Sequence, residues 1–447
     1  MTRFYRTIAI AVFCIATVAA LPQAAQAQIG LPNVNDTLGR LPTRPVEERL
    51  NRELERKKRA AEALAEAAAV EAAGLTDKAV GLVDGMLRGT ILATDPNGAA
   101  IESDTIAVLV DRETLTAMTA DGFDVLAQRD LQSLGLTLAT LRNLAGTDLP
   151  DSVARLRKAY PDASVDYNHL YRPANDVPAE QSSANATALD DTEIAAGGDR
   201  LRVGIIDSAV QVEHRALAGV RVTSRDFAIN DGLRPQTHGT AVASLVAKSA
   251  RDNVDILAAS VFFQVEGYGP GATSEGLLAA LDWLAGENVD VINMSLAGPG
   301  NKLLEQGIAH IGASGPVIVA AVGNNGPSSE PLFPAAYEAT IGITAVDRDR
   351  RIFRYANRGD YVDFAALGVD VKVADSTTGG WRIESGTSMA APRVAVIVAQ
   401  IVKNSAAERA AVSSWLVASA KDLGKRGFDT VFGHGLVSQA PLMISRN

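Results

Sequence analysis

From Leu201 onward the chain repeats one pattern: a short apolar run, a turn, then an apolar helical stretch. The runs Val203–Ile206, Ile256–Val261, Val289–Asn293, Val317–Val322, Ile341–Val346 and Tyr361–Phe364 read as strands, and 238–249, 274–286, 302–314 and 388–404 read as helices. Strands that are apolar almost throughout have no face to give to water. They therefore belong in a parallel sheet with helices on both faces, an α/β architecture. In such sheets ligands bind in the loops at the carboxyl ends of the strands.

The region before Leu201 obeys different rules. Between about Gly89 and Arg172 the order is strand (Ile106–Val110), helix (Arg112–Ala120), a strand pair (Val125–Ala127 and Leu134–Leu138), helix (Ser152–Tyr160, opened by Pro150-Asp151) and strand (Ala163–Tyr167). That β-α-β-β-α-β order is the plan of a small ferredoxin-like α+β domain. Residues 173–198 are a Pro-, Ala-, Asn- and Ser-rich linker ending in Gly197-Gly198, open to proteolysis. Its Asn185-Ala186-Thr187 fits a glycosylation acceptor. Further upstream, 28–44 is an irregular lead-in, and Pro45–Ala73, rich in Glu, Arg, Lys, Ala and Leu, is a strong helix former with only a thin apolar stripe. The segment 28–88 is thus read as a lead-in and charged helix, either a solvated spacer or a partner-binding helix.

Residues 1–27 carry Arg3 and Arg6, an apolar run from Ile8 to Leu21, and Ala25-Gln26-Ala27, the pattern of a signal peptide cut after Ala27. Export to a periplasm or to the outside follows, with no membrane span expected once the signal is removed. The single cysteine, Cys14, lies in the signal, so the exported protein is held without disulfides. Without Arg3 and Arg6 it has 40 Lys and Arg against 52 Asp and Glu, a net charge of −12. Nucleic acid and anionic membrane surfaces are poor partners for such a chain.

Reactive residue types fall at the strand ends and helix starts. Asp207 follows Arg202-Val203-Gly204-Ile205-Ile206, His238 opens His238-Gly239-Thr240-Ala241, and Ser388 lies in Gly386-Thr387-Ser388-Met389-Ala390-Ala391-Pro392 at the head of an apolar helix. Serine is a weak nucleophile at neutral pH. It needs an imidazole as base, and the imidazole needs a buried carboxylate to fix its tautomer and stabilise its protonated form. Asn324, in Gly323-Asn324-Asn325-Gly326 after the strand ending at Val322, offers a side-chain amide to a developing oxyanion. Taken alone, Ser388 reads as a helix cap and Asn324 as a turn former; together with Asp207 and His238 they form a catalytic set.

These motifs resemble the subtilisin (subtilase) family of serine peptidases over about Asp199 to Ser445. They are Ile205-Ile206-Asp207-Ser208, His238-Gly239-Thr240, Asn293-Met294-Ser295-Leu296, Gly323-Asn324, the Gly386–Pro392 segment, and the closing Phe432-Gly433-His434-Gly435-Leu436-Val437. The order Asp, His, Ser also matches that family. The resemblance implies a subtilisin-like domain over 199–447, with Ser388 as nucleophile, His238 as base, Asp207 as its orienter and Asn324 as oxyanion donor. It implies that Ser295-Leu296-Ala297-Gly298 binds substrate backbone as an added strand. It also makes 89–172 similar to an inhibitory propeptide, with processing inside the 173–198 linker.

Protein or peptide substrates and the chain's own propeptide are the partners so implied. No cofactor is required for catalysis and no metal-ligand motif is visible, although the family resemblance implies structural calcium with unassigned ligands. His214, His434, His169 and His310 are read as structural. Ala209, Ala241, Ala297 and Arg393 depart from the family's frequent residues; none removes a reactive group, but Ala297 bears on the substrate pocket. A self-processing or inactive scaffold acting as a binding protein through its N-terminal region remains the alternative.

Overall fold

The computed structural model describes residues 92–144, 146–174, 200–228, 233–265, 267–404 and 411–438. The expected signal peptide, lead-in and charged helix, and nearly all of the expected 173–198 linker, lie outside them.

The N-terminal unit contains β1 (Leu92–Thr94), β2 (Ala100–Val110), α1 (Arg112–Ala120), β3 (Val125–Leu131), β4 (Leu136–Arg142), α2 (Leu149–Ala159) and β5 (Ser164–Pro173). Asp111 caps α1 by accepting from Thr114 N, and Pro150 sits in the first turn of α2, where its missing N–H costs nothing. Strands pair antiparallel in the order β3-β4-β2-β5, with β1 on β2. The expected β-α-β-β-α-β order is present, with β1 added. One strand starts later than expected. Leu134 is in a turn because Ser133 donates through its N–H and Oγ to Asp282 (2.7 and 3.0 Å), so a tertiary contact delays β4 to Leu136.

Alternation along β2 gives the small sheet two buried faces. Ile106, Val108 and Val110 pack with Leu115, Met118, Val153 and Leu156 of α1 and α2. Ala107 and Leu109 join a second cluster with residues of the downstream region, among them Leu278 and Leu304. The small sheet is therefore sandwiched, and burying its second face depends on the rest of the chain.

Downstream come β6 (Leu201–Asp207), β7 (Arg221–Asp226), α3 (Thr237–Ser249), β8 (Val254–Ser260), β9 (Phe263–Val265), β10 (Gly269–Thr273), α4 (Ser274–Gly286), β11 (Val291–Met294), β12 (Leu296–Ala297) and α5 (Lys302–Ser314). They are followed by β13 (Val317–Ala321), β14 (Thr340–Val346), β15 (Phe364–Leu367), β16 (Val371–Asp375), β17 (Gly380–Glu384), α6 (Thr387–Asn404) and α7 (Val412–Ser419). A parallel sheet runs β15-β14-β13-β11-β6-β8-β7. Helices α3 and α6 pack in the cluster on one face and α4 and α5 in the cluster on the other, so the doubly covered sheet is as expected. The last core strand is displaced: Val362 and Asp363 bond to Gly359 and Gly342, and β15 begins only at Phe364. Arg221–Asp226, too polar to read as a strand, pairs on the open edge beside β8.

Two helices of the α/β region take hydrogen bonds at their N-termini from the N-terminal unit. Asp166 Oδ2 accepts from Lys302 N at 2.9 Å, at the start of α5. Asn168 Oδ1 accepts from Ser274 Oγ (2.9 Å) and Glu275 N (3.2 Å), at the start of α4. Free N–H groups and the positive end of the helix dipole make these good docking points for a carboxylate or amide oxygen. Strand β5 then leaves the small sheet and runs between β10 and β12, pairing antiparallel with both.

Candidate active site

Asp207 ends β6, His238 lies in the first turn of α3, Asn324 follows β13, and Ser388 lies in the first turn of α6; all four are buried. Local packing explains the small residues beside them. A Cβ on Gly239 would overlap the Ser208 carbonyl oxygen, and Gly239 N donates to Ser208 Oγ at 2.7 Å. This close approach brings the start of α3 against the end of β6. Gly323 has φ +101°, a conformation that disfavours any side chain, and a Cβ there would meet Leu332 at 2.5 Å. It turns the chain so that Asn324 faces the site.

His238 Nδ1 lies 2.7 and 2.9 Å from the two Asp207 oxygens. Nδ1 therefore carries the proton, and Nε2, which is buried and has no hydrogen-bond partner, is left as the basic lone pair. Burial is the largest influence on the imidazole and lowers its pKa. The charge and hydrogen bond of Asp207 together outweigh it, and His238 ends above its ordinary value. Glu384 adds to the rise and Arg382 opposes it. Both sit on β17, where Arg382 Nε donates to Glu384 Oε1 (2.6 Å) and its Nη2 to the Thr237 carbonyl (3.3 Å).

Ser388 Oγ does not meet Nε2 in this arrangement. It donates to the Ser295 carbonyl at 3.3 Å, while Ser295 Oγ donates to the Ser388 carbonyl at 3.1 Å. Hydrogen bonds of catalytic groups are often formed fully only when the reaction is under way. Asn324 is fixed by its oxygen, which accepts from Thr387 N and Oγ1, both at 3.1 Å. Its Nδ2 is thereby turned into the site, where it donates to the carbonyl oxygen of Ala174.

Ala174 belongs to the segment that continues β5. Its N–H donates to Ser295 O at 3.2 Å; Pro173 and Arg172 pair with Leu296 and Ala297; and Tyr171 and Leu170 pair with Ala272 and Thr273. Tyr171 is fully buried, its hydroxyl donating to Pro299 O at 3.0 Å. A Cβ on Gly298 would overlap the Tyr171 ring, so that glycine makes the room. Of the segment Ser295-Leu296-Ala297-Gly298, three residues contact the inserted strand through backbone and the fourth by having no side chain.

Sequence reasoning did not give Tyr171, Pro173 and Ala174 their places in the cleft, because these follow from strand pairing across the chain. Arg382 and Glu384 were also missed; their proximity to Ser388 in sequence was the available signal. His169 has Asp95 3.5 Å from its Nε2, a carboxylate brought from 74 positions away in the sequence. His214 is structural, its Nδ1 accepting from Ala216 N and its Nε2 at 3.0 Å from the Gly380 carbonyl. Among the described residues no group of three or more His, Cys, Asp or Glu side chains converges to hold a metal ion. Calcium also takes backbone carbonyl and side-chain amide oxygens, so the calcium implied by the family resemblance has no ligands assigned to it, and no step below involves one.

A doubly covered parallel sheet with a buried carboxylate, imidazole, hydroxyl and amide at its carboxyl edge defines a serine hydrolase of the acyl-transfer class. Residues 198–435 match the subtilase family, Peptidase_S8. Subtilisin E of Bacillus subtilis (strain 168) is 30% identical over 351 residues, covering 73% of this chain and 87% of that protein. The thermophilic serine proteinase of Bacillus sp. (strain AK1) is 33% identical over 219 residues, 46% of this chain and 53% of that protein, so the match spans about half of that relative. The crystal structure of fervidolysin from Fervidobacterium pennivorans, a keratinolytic enzyme related to subtilisin, superposes with a TM-score of 0.61 at 19% identity, over 78% of this chain and 62% of that one. The chain belongs to the subtilase family, and it is a serine endopeptidase by that membership.

Proposed function

We propose that the chain is made as an exported zymogen, that residues 92–174 template and then block its active site, and that the bond after Ala174 is the first one it cuts. One observation carries this reading. The Ala174 carbonyl oxygen receives the Asn324 amide hydrogen while the Ala174 N–H is held by Ser295, as expected of the residue whose carbonyl is attacked. The bond falls inside the 173–198 linker, where the family resemblance implies processing.

In the reaction, Ser388 Oγ attacks the Ala174 carbonyl carbon and its proton passes to His238 Nε2. The tetrahedral oxyanion takes hydrogen bonds from Asn324 Nδ2 and Ser388 N, and the fully buried Asp207 stabilises the imidazolium. Collapse breaks the C–N bond, with His238 returning the proton to the departing amine. Water, deprotonated by the same imidazole, then frees Ser388 from the ester. The product carboxylate at Ala174 stays in the cleft, because β5 is held on both sides and by the two helix starts. Slow pairing of a parallel sheet gives a physical reason for a folding template. Export rests on the signal-like 1–27, and no described helix is long and apolar enough to cross a membrane.

The test is expression of the full chain beside Ser388→Ala. Wild type is expected to show a new N-terminus at residue 175 by mass spectrometry and to label with a fluorophosphonate. Ser388→Ala is expected to stay uncut, with turnover down about 10⁶-fold, the size known for subtilisin itself. A wild-type chain that labels yet stays intact, or equal cutting in both, overturns the zymogen reading.

A further inference from the structure

Alternation along β5 sends successive side chains to opposite sides. Tyr171 goes into the closed pocket over Gly298, and half-exposed Arg172 goes the other way, its guanidinium carbon 3.9 Å from the centroid of the Tyr268 ring. Tyr268 is built to stand there. It sits in the turn between β9 and β10, flanked by Gly267 (φ 71°) and Gly269 (φ 87°), both in the left-handed region that favours glycine. Its N–H donates to Val265 O at 3.1 Å, and its ring packs on the Leu170, Phe263 and Val265 cluster. Its hydroxyl reaches the Leu170 carbonyl at 3.5 Å. The aromatic face is thus held against the inserted strand.

We propose that Tyr268 is a specificity-determining residue, reading a cationic side chain on the third residue before the bond that is cut. The inference rests on residues 170–174 being bound as substrate. The substrate class it names is a peptide with arginine at that position, an aromatic residue just before it and a small residue at the bond. Arginine is preferred to lysine because its planar, weakly hydrated guanidinium stacks on a ring while keeping its outer N–H groups in water. A half-exposed stack of this kind is worth roughly a 3- to 10-fold preference.

The experiment compares kcat/KM for two fluorogenic amides, Tyr-Arg-Pro-Ala and Tyr-Gln-Pro-Ala, using enzyme prepared from the full chain and counted by fluorophosphonate titration. Wild type and Tyr268→Phe are expected to favour the arginine peptide by roughly 3- to 10-fold, mainly through KM, and Tyr268→Leu to bring the ratio to about one. Arg172→Gln in the full chain is expected to slow self-cutting by a similar factor, with Arg172→Lys between. A wild-type ratio near one, or a Tyr268→Leu variant that loses rate equally on both peptides, overturns the inference and leaves the zymogen reading standing. Failure of labelled enzyme to turn over either peptide overturns both.

Discussion

Two buried histidine–carboxylate pairs lie among the described residues, and their geometries suit opposite purposes. Asp207 holds His238 Nδ1 at 2.7 and 2.9 Å, and the other ring nitrogen has no partner. Asp95 stands 3.5 Å from His169 Nε2, while His169 Nδ1 is 3.0 Å from Asn301 Nδ2. That amide cannot turn round, since its oxygen caps α5 by accepting from Leu303 N and Leu304 N. A proton arriving at His169 Nδ1 would therefore face a locked donor. Burial lowers the His169 pKa more than Asp166, through its charge, and Asp95, by hydrogen bond and charge, raise it; Arg157 lowers it further. Lys302 and Glu305 of α5 border the same place. The same two residue types thus suit a proton acceptor at one site and a proton-refusing contact at the other. The difference lies in carboxylate distance and in what the second nitrogen meets.

The sharpest way to break the comparison is Asp207→Asn. It keeps the shape but removes the charge that fixes the tautomer, and turnover is expected to fall about 10⁴-fold in steady-state assays with folding intact. Asn324→Ala comes next. It leaves the His238 pair untouched and removes one oxyanion donor, and is expected to cost about 10²- to 10³-fold in kcat, as measured for subtilisin.

His169 gives a smaller effect with a definite sign. Its docked pKa is depressed, so its contribution to docking is complete above the free value of about 6.5 and is lost as pH falls from there toward the docked value. Release of activity after self-cutting should be faster at pH 5.5 than at 7.5 by up to about tenfold, and His169→Gln should flatten that dependence. Asp95→Asn has the smallest effect. Removing a group that raises the pKa makes protonation costlier still, so acid release should increase by about 2- to 3-fold. If acid slows release, or His169→Gln keeps the full pH dependence, the proton-refusing role is wrong.

Much of the site was legible because its parts are local. Asp207, His238, Asn324 and Ser388 each sit at a strand end or helix start marked by small residues, and at Gly239 and Gly323 the backbone geometry demands them. The strand of charged residues at 221–226, the delayed start of β4 and the shift of β15 to Phe364 were illegible, because each is set by a neighbour in space. The partners of Tyr268 and Asp95 were illegible for the same reason: Arg172 meets Tyr268 when β5 pairs with β10, and His169 meets Asp95 when β5 pairs with β2.

By itself the sequence determined the doubly covered α/β sheet and the chemical set at its edge, since apolar period and turn residues act over a few positions. Only the tertiary structure decided which carbonyl lies against Asn324, which ring faces Arg172, and which histidine accepts a proton. Those outcomes depend on strand register and on which groups are desolvated together, and both arise only when distant segments pack.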